Sequence, residues 1–152
     1  IFYARGVLET VKKLRWCPDI IHCHGWMTAL APLYIKKAYK DEPSFRDAKV
    51  VFSVFEDDFK ESFNADFVNR LVLKGVTKKD MAHLKAPVDY ATLCKLAIDY
   101  SDGVIQQSEN VNEEVMEYAR QAGKPILEYQ TPETFAEACN EFYDKVWETE
   151  QK

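Results

Sequence analysis

Apolar residues along this chain alternate between a spacing of three to four and short unbroken runs, the signature of helices interleaved with buried strands. Ala4, Val7, Leu8, Val11 and Leu14 recur at helical spacing, and Pro18 closes that helix before the strand-length apolar run Ile20-Ile21-His22-Cys23. Helical spacing returns from about Met27 to Tyr39, with Pro32 either in the first turn or at a kink. Val50-Val51-Phe52-Ser53-Val54-Phe55 is nearly continuous, as a central strand covered on both faces should be, and it ends in Glu56-Asp57-Asp58. Between Lys60 and Pro87 the pattern weakens to an irregular or helical excursion; Thr77 and Asp80 have capping-box spacing, and Ala86-Pro87 ends that short helix.

Asp89 caps a helix carrying Tyr90, Leu93, Cys94, Ala97 and Tyr100 on one face, followed by the strand Gly103-Val104-Ile105-Gln106. Ser108 or Asn110 then caps a helix with Val111, Val115, Tyr118 and Ala119 that stops at Gly123. Pro125 to Tyr129 makes a fourth strand, and Thr131-Pro132 opens a last helix that turns Phe135, Ala138, Phe142 and Val146 inward. Strands and helices in this order predict an α/β, Rossmann-like, three-layer domain: a mostly parallel sheet of about four strands flanked by helices. The 152 residues suffice for one such domain, spanning 1–152, with a core of its own.

Charge and cysteine usage narrow the partners. A net charge of −5 and a pI near 5.3 argue against nucleic acid or an anionic membrane, both of which need a concentrated basic face. No apolar stretch approaches the roughly 18 to 20 residues of a membrane span. Cys17, Cys23, Cys94 and Cys139 lie in or beside apolar runs, as small core hydrophobes of a reducing compartment do, so the expected location is cytoplasmic. The chain opens on Ile1 in a helical pattern, the mark of a piece of something longer, while its polar end Glu148-Thr149-Glu150-Gln151-Lys152 resembles a natural C-terminus.

Chemistry concentrates where the first strand ends. Residues two apart on a strand share a side, so His22 and His24 act together while Cys23 points away. Gly25 lets the backbone approach a ligand, and the unpaired N–H groups of the next turn suit a hydroxyl or phosphate, hence a sugar or nucleotide sugar. The bland alternative has one histidine hydrogen-bonded in the core and the other capping the helix. A divalent metal needs more ligands than His-x-His, with only Asp57, Asp58 and the remote His83 to offer, so no metal is expected. Glu56, Asp57 and Asp58 reach the same carboxyl edge of the sheet, either as acid–base groups or as a solvated loop. Ser108 follows the third strand without the glycines of a nucleophile elbow and reads as a helix cap. Neither a dinucleotide Gly-x-Gly-x-x-Gly nor a P-loop occurs, and no cofactor is expected.

Pro18-Asp19-Ile20-Ile21-His22-Cys23-His24-Gly25-Trp26-Met27-Thr28-Ala29-Leu30-Ala31-Pro32 resembles the Pro-Asp-x-x-His-x-His-Asp-Trp-x-x-x-Leu-x-Pro signature of the bacterial starch and glycogen synthases, retaining glycosyltransferases. Lys49 to Val54 sits where that family has the strand leading into Thr-x-His-Asn, and Lys95 to Ser108 is similar to its Lys-x-Gly-Ile-x-x-Ala-Asp-x-Val-x-Thr-Val-Ser. The resemblance covers about residues 1 to 120 and implies the second half of the N-terminal Rossmann-like domain of a GT-B fold. It implies that the parent protein transfers glucose from ADP-glucose to an α-1,4-glucan, with His24 against the transferred glucose. His22, Gly25, Trp26, Thr28, Phe55, Glu56, Asp57 and Ser108 would then line the substrate site.

The departures from the family are specific. Gly25 replaces the signature Asp, Phe55-Glu56 replaces His-Asn, and Glu109 replaces a Pro. The family's lysine- and glycine-bearing loop would lie upstream of Ile1, and its second domain, with the donor-phosphate residues and a catalytic glutamate, downstream. The piece alone is therefore expected to be inactive. A non-catalytic glucan-binding or regulatory module is the alternative, and apolar surface left by the missing part of the sheet would favour a homodimer.

Overall fold

The computed structural model describes residues 1–149; of the polar end, Glu150 to Lys152 lie outside the described residues. Four parallel strands form one sheet in the order β1-β2-β3-β4: β1 Ile20–His24, β2 Lys49–Val54, β3 Gly103–Gln106 and β4 Ile126–Leu127. Every residue of β2 is buried, as its unbroken apolar run requires of a strand flanked on both sides.

Strand alternation divides the core into two layers. Val50, Phe52 and Val54 of β2, Cys23 of β1 and Val104 of β3 join the larger cluster. That cluster also takes in residues of α1 (Phe2–Lys13), α2 (Ala31–Lys36), α4 (Tyr90–Asp99) and α5 (Glu113–Gln121). Val51 and Ile105 face the other way, onto Cys139, Phe142 and Val146 of α6 (Pro132–Glu148). The sheet is thus sandwiched between several helices on one side and α6 on the other, the three-layer α/β arrangement expected. Asp102, from the second family-like segment, ties strand to strand: its Oδ2 accepts the Val50 N–H at 2.7 Å and pairs with Lys36 Nζ at 2.8 Å.

Local signals in the sequence act as anticipated at several ends. Asp89 caps α4 by accepting the Thr92 N–H at 2.8 Å. Thr77 and Asp80 form a capping box, which opens a 3-10 turn (Lys78–Met81). The weak region also holds the short α3 (Phe67–Arg70). Pro32 sits in the first turn of α2 and does not kink it.

Five expectations need correction. The helix placed over Met27–Tyr39 is a 3-10 turn (Trp26–Thr28) followed by the six-residue α2, because the chain must first turn around Gly25. The cap of α5 is Asn112, whose Oδ1 accepts the Val115 N–H at 3.2 Å, and neither Ser108 nor Asn110. β4 is two residues long, since it is an edge strand and Glu128 and Tyr129 are exposed. On α1 the buried stripe is only Ala4 and Leu8; Leu14, past the last helical residue, is 70% exposed. Cys17 is likewise exposed, whereas Cys23, Cys94 and Cys139 are buried free thiols.

Candidate functional site

The carboxyl ends of β1, β2 and β3 gather nearly all of the expected site residues. His22 and His24 project on the α6 side, opposite Cys23, and their rings stack with centroids 3.8 Å apart and planes 25° off parallel. They differ in environment. His22 is half-buried, with Nδ1 bonded to the Tyr143 hydroxyl of α6 and Nε2 to the Ser53 hydroxyl of β2. Burial, then the neighbouring His24, pushes its pKa down to about 4, so the ring is neutral at neutral pH and donates from one nitrogen while accepting at the other. His24 is exposed at the strand's end, and the burial it does experience also lowers its pKa. For His22 the bland hydrogen-bonded reading describes the geometry; His24 is the histidine open to a ligand.

Gly25 turns the chain. Its φ of 75° and ψ of 172° lie in a region essentially restricted to glycine, while its N–H continues the ladder to the Ser53 carbonyl at 3.1 Å. The Thr28 hydroxyl donates back to the Gly25 carbonyl at 2.9 Å, and this contact closes the turn. Trp26 points into an aromatic group with Phe59 and Phe63.

The segment after β2 is anchored from two sides. Tyr90 donates to the Phe55 carbonyl at 3.2 Å and to Asp57 Oδ1 at 3.1 Å; burial, with Cys94 and Asp57 beside it, pushes the phenol's pKa up. Ser108, expected to cap a helix, instead accepts the Glu56 N–H at 3.1 Å and so joins the loop after β3 to the loop after β2. Glu56 is exposed, Asp57 half-buried, and Asp58 accepts from Asn112 Nδ2 at 3.0 Å. The acidic run is therefore not simply a solvated loop. The Phe55 ring lies tilted to His24, centroids 6.0 Å apart.

Among the described residues no three His, Cys, Asp or Glu side chains converge in a way that could hold a metal. Burial raises the Cys23 thiol to about 12, so the cysteine between the histidines is held as an unreactive thiol. Three residues that shape this edge escaped the sequence reading: Ser53, Tyr90 and Tyr143. For Tyr143 the signal was present, because it falls on the apolar helical stripe of Cys139, Phe142 and Val146.

A parallel α/β sheet with a glycine turn and paired histidines at its carboxyl edge is the build of a ligand-binding Rossmann-like layer. The family model for the starch synthase catalytic domain matches residues 1–128, and the chain belongs to that family. Glycogen synthase of Clostridium perfringens is 34% identical over 122 residues, 75% of this chain and 23% of that protein. Glycogen synthase of Chlorobium chlorochromatii is 33% identical over 135 residues, 87% of this chain and 27% of the relative. The solved catalytic domain of starch synthase IV from Arabidopsis thaliana, bound to ADP and acarbose, superposes with a TM-score of 0.63 at 19% identity, covering 86% of this chain and 28% of that one. That likeness shows the fold. The chain spans about a quarter of the length of these two glycogen synthases.

Proposed function

We propose that this chain is the acceptor-side part of an α-glucan synthase whose parent protein transfers glucose from ADP-glucose to an α-1,4-glucan. The observation that carries the reading is His24: an exposed imidazole at the carboxyl end of β1, inside the family signature, directly before the glycine turn. In this reading His24 contacts the transferred glucose, His22 holds it in place by stacking, and Gly25, Phe55, Asp57 and Ser108 shape the surface around it. Residues 1–152 act as one domain, with donor-phosphate binding supplied by further parts of the parent in the cytoplasm, and this piece alone is inactive. The parent, given ADP-glucose and glycogen, should incorporate glucose, and His24→Ala should lower that at least 100-fold; unchanged incorporation overturns the role of His24.

The second reading, a glucan-binding module without catalysis, is favoured by one specific feature. Polar signature groups are replaced by Gly25 and Phe55-Glu56. Titration of the chain with maltooligosaccharides and with ADP-glucose separates the two: saccharide binding with a parent that turns nothing over supports the module. The exposed Phe2, Tyr3, Val7 and Leu14 of the first helix and its end support self-association into a homodimer, which a monomer at all concentrations in sedimentation would refute.

A further inference from the structure

A cavity of about 740 Å³ lies at the opposite end of the sheet from the exposed His24. Lys49 opens β2, Ser101 and Asp102 lead into β3, and Lys124 and Pro125 lead into β4, so the cavity sits on the amino edge of the sheet. β2 runs six residues from that edge to the other, roughly 17 Å at the rise of a parallel strand. The histidine edge and this cavity share no residue.

Charge in this cavity runs against the rest of the chain. Only 15 of the 152 residues line it, yet they include five of the 20 basic residues, Lys36, Lys40, Arg46, Lys49 and Lys124, and two of the 25 acids. Both acids are engaged. Asp102 holds the Val50 N–H and Lys36, and Asp99 Oδ1 accepts from the Tyr118 hydroxyl.

Carboxyl ends of helices account for two of the five bases and leave three. Lys36 lies in the last turn of α2, and Lys124 Nζ donates at 3.4 Å to the carbonyl of Asp99, the last residue of α4; cations belong at such ends. Lys40 is exposed and, among the described residues, makes no ion pair. Arg46 meets its neighbour Asp47 at 3.5 Å with both side chains in solvent, a pair too exposed to occupy the guanidinium. Lys49 is 7% exposed, and its ammonium, with three donors, meets one acceptor among the described residues, the neutral Thr149 carbonyl at 2.8 Å. A positive charge buried in this way calls for an opposite charge beside it.

Phosphate is the anion this set suits. Lysine and arginine donors around one opening can hold several oxygens of a single tetrahedral group through charge-assisted hydrogen bonds. The space exceeds a bare ion and falls in the range of small-ligand pockets, roughly 300 to 1,000 Å³, while Ile35, Tyr100 and Pro125 give it an apolar wall. We propose that the amino edge of the sheet binds a small phosphate monoester, with Lys40, Arg46 and Lys49 on the phosphate and Tyr100 and Pro125 against the sugar or nucleoside that carries it. This site stands apart from the glucan reading, because it uses none of the residues at the histidine edge.

Calorimetric titration of the 152-residue chain with glucose 1-phosphate and with AMP, at an ionic strength held constant with sodium chloride, tests the site. Saturable binding of either compound is expected, and the tighter of the two identifies the body; amide shifts should move at Ser101, Gly123 and Lys124. Lys40→Ala/Arg46→Ala, on exposed turns, should raise the Kd about ten-fold through lost hydrogen bonds to charged groups. Lys49→Met keeps a long side chain without the charge and should do the same in protein that still melts cooperatively. Lys78→Ala/Lys79→Ala, exposed and outside the cavity, should change the Kd less than two-fold. Binding of neither compound, shifts centred on His24 and Gly25, or an affinity that Lys40→Ala/Arg46→Ala leaves unchanged overturns the site.

Discussion

The carboxylate of Asp57 occupies the space in which a side chain at Gly25 would begin: a Cβ built on Gly25 would lie 2.9 Å from Asp57 Oδ2. The position where the family signature carries an acid is thus bare in this chain, and an acid from the loop after β2 lies against it.

Restoring the signature residue should therefore harm the protein. Gly25→Ala places a Cβ both in a conformation that costs roughly 1 to 3 kcal/mol for non-glycine residues and against the Asp57 oxygen. About 2 kcal/mol of destabilisation, read as a melting temperature lower by roughly 4 to 8 °C, is the expected outcome. Gly25→Asp should be worse, because it adds a second carboxylate beside the first. The double variant Gly25→Ala/Asp57→Ala should lose less than the sum of the single changes, since the two residues touch. A Gly25→Asp protein that melts with the wild type would contradict this account.

The relation between these two residues also marks what a sequence can carry. Features set by local backbone rules were legible: the strands at Ile20, Val50 and Gly103, the Asp89 cap, the Thr77–Asp80 box, and the shared side of His22 and His24. Features set by where distant segments land were not. Tyr143 reaches His22 across 121 positions, Ser108 reaches the Glu56 N–H across 52, and Tyr90 reaches Asp57 across 33. Asn112 caps its helix because the helix begins at Glu113, well past Ser108, whose hydroxyl is engaged by the neighbouring loop.

Acid should destabilise the fold through His22. Its pKa in the folded chain, about 4, lies below the ordinary 6.5, so between those values the unfolded chain binds more protons. Stability is then complete above pH 6.5 and declines as pH falls toward 4. With partial solvent access discounted, the loss is on the order of 2 kcal/mol. His24, lowered in the same direction by burial, adds to the trend. Urea midpoints at pH 7, 5.5 and 4 should fall in that order, and His22→Gln should flatten the slope.

Close approach of α6 to the sheet makes Gly103 as constrained as Gly25 for a different reason. A Cβ there would lie 2.8 Å from Val146 Cγ2 and 2.9 Å from Phe142 Cζ, atoms of two buried side chains. Gly103→Ala should push α6 outward at a cost of about 1 to 3 kcal/mol, as overpacked cores generally do. Because α6 also carries Tyr143, the same substitution should expose His22, seen as faster modification of the imidazole by diethyl pyrocarbonate. Wild-type stability together with wild-type modification rates would show that the helix has slack there.

Tyr143→Phe isolates the hydrogen bond from the packing. The ring is kept and only the hydroxyl at His22 Nδ1 is lost, a change worth about 1 kcal/mol of stability. Its sharper effect is on the imidazole: with Ser53 as the remaining partner at Nε2, the tautomer is no longer set from both sides. Nitrogen-15 shifts of His22 should move toward a mixture of the two neutral forms, with His24, stacked 3.8 Å away, shifting less. If His22 steadies His24 through that stack, glucose incorporation by the parent carrying Tyr143→Phe should fall only a few-fold, far short of the His24→Ala loss. His22 shifts identical to those of the unaltered protein would mean that α6 covers the histidine without orienting it.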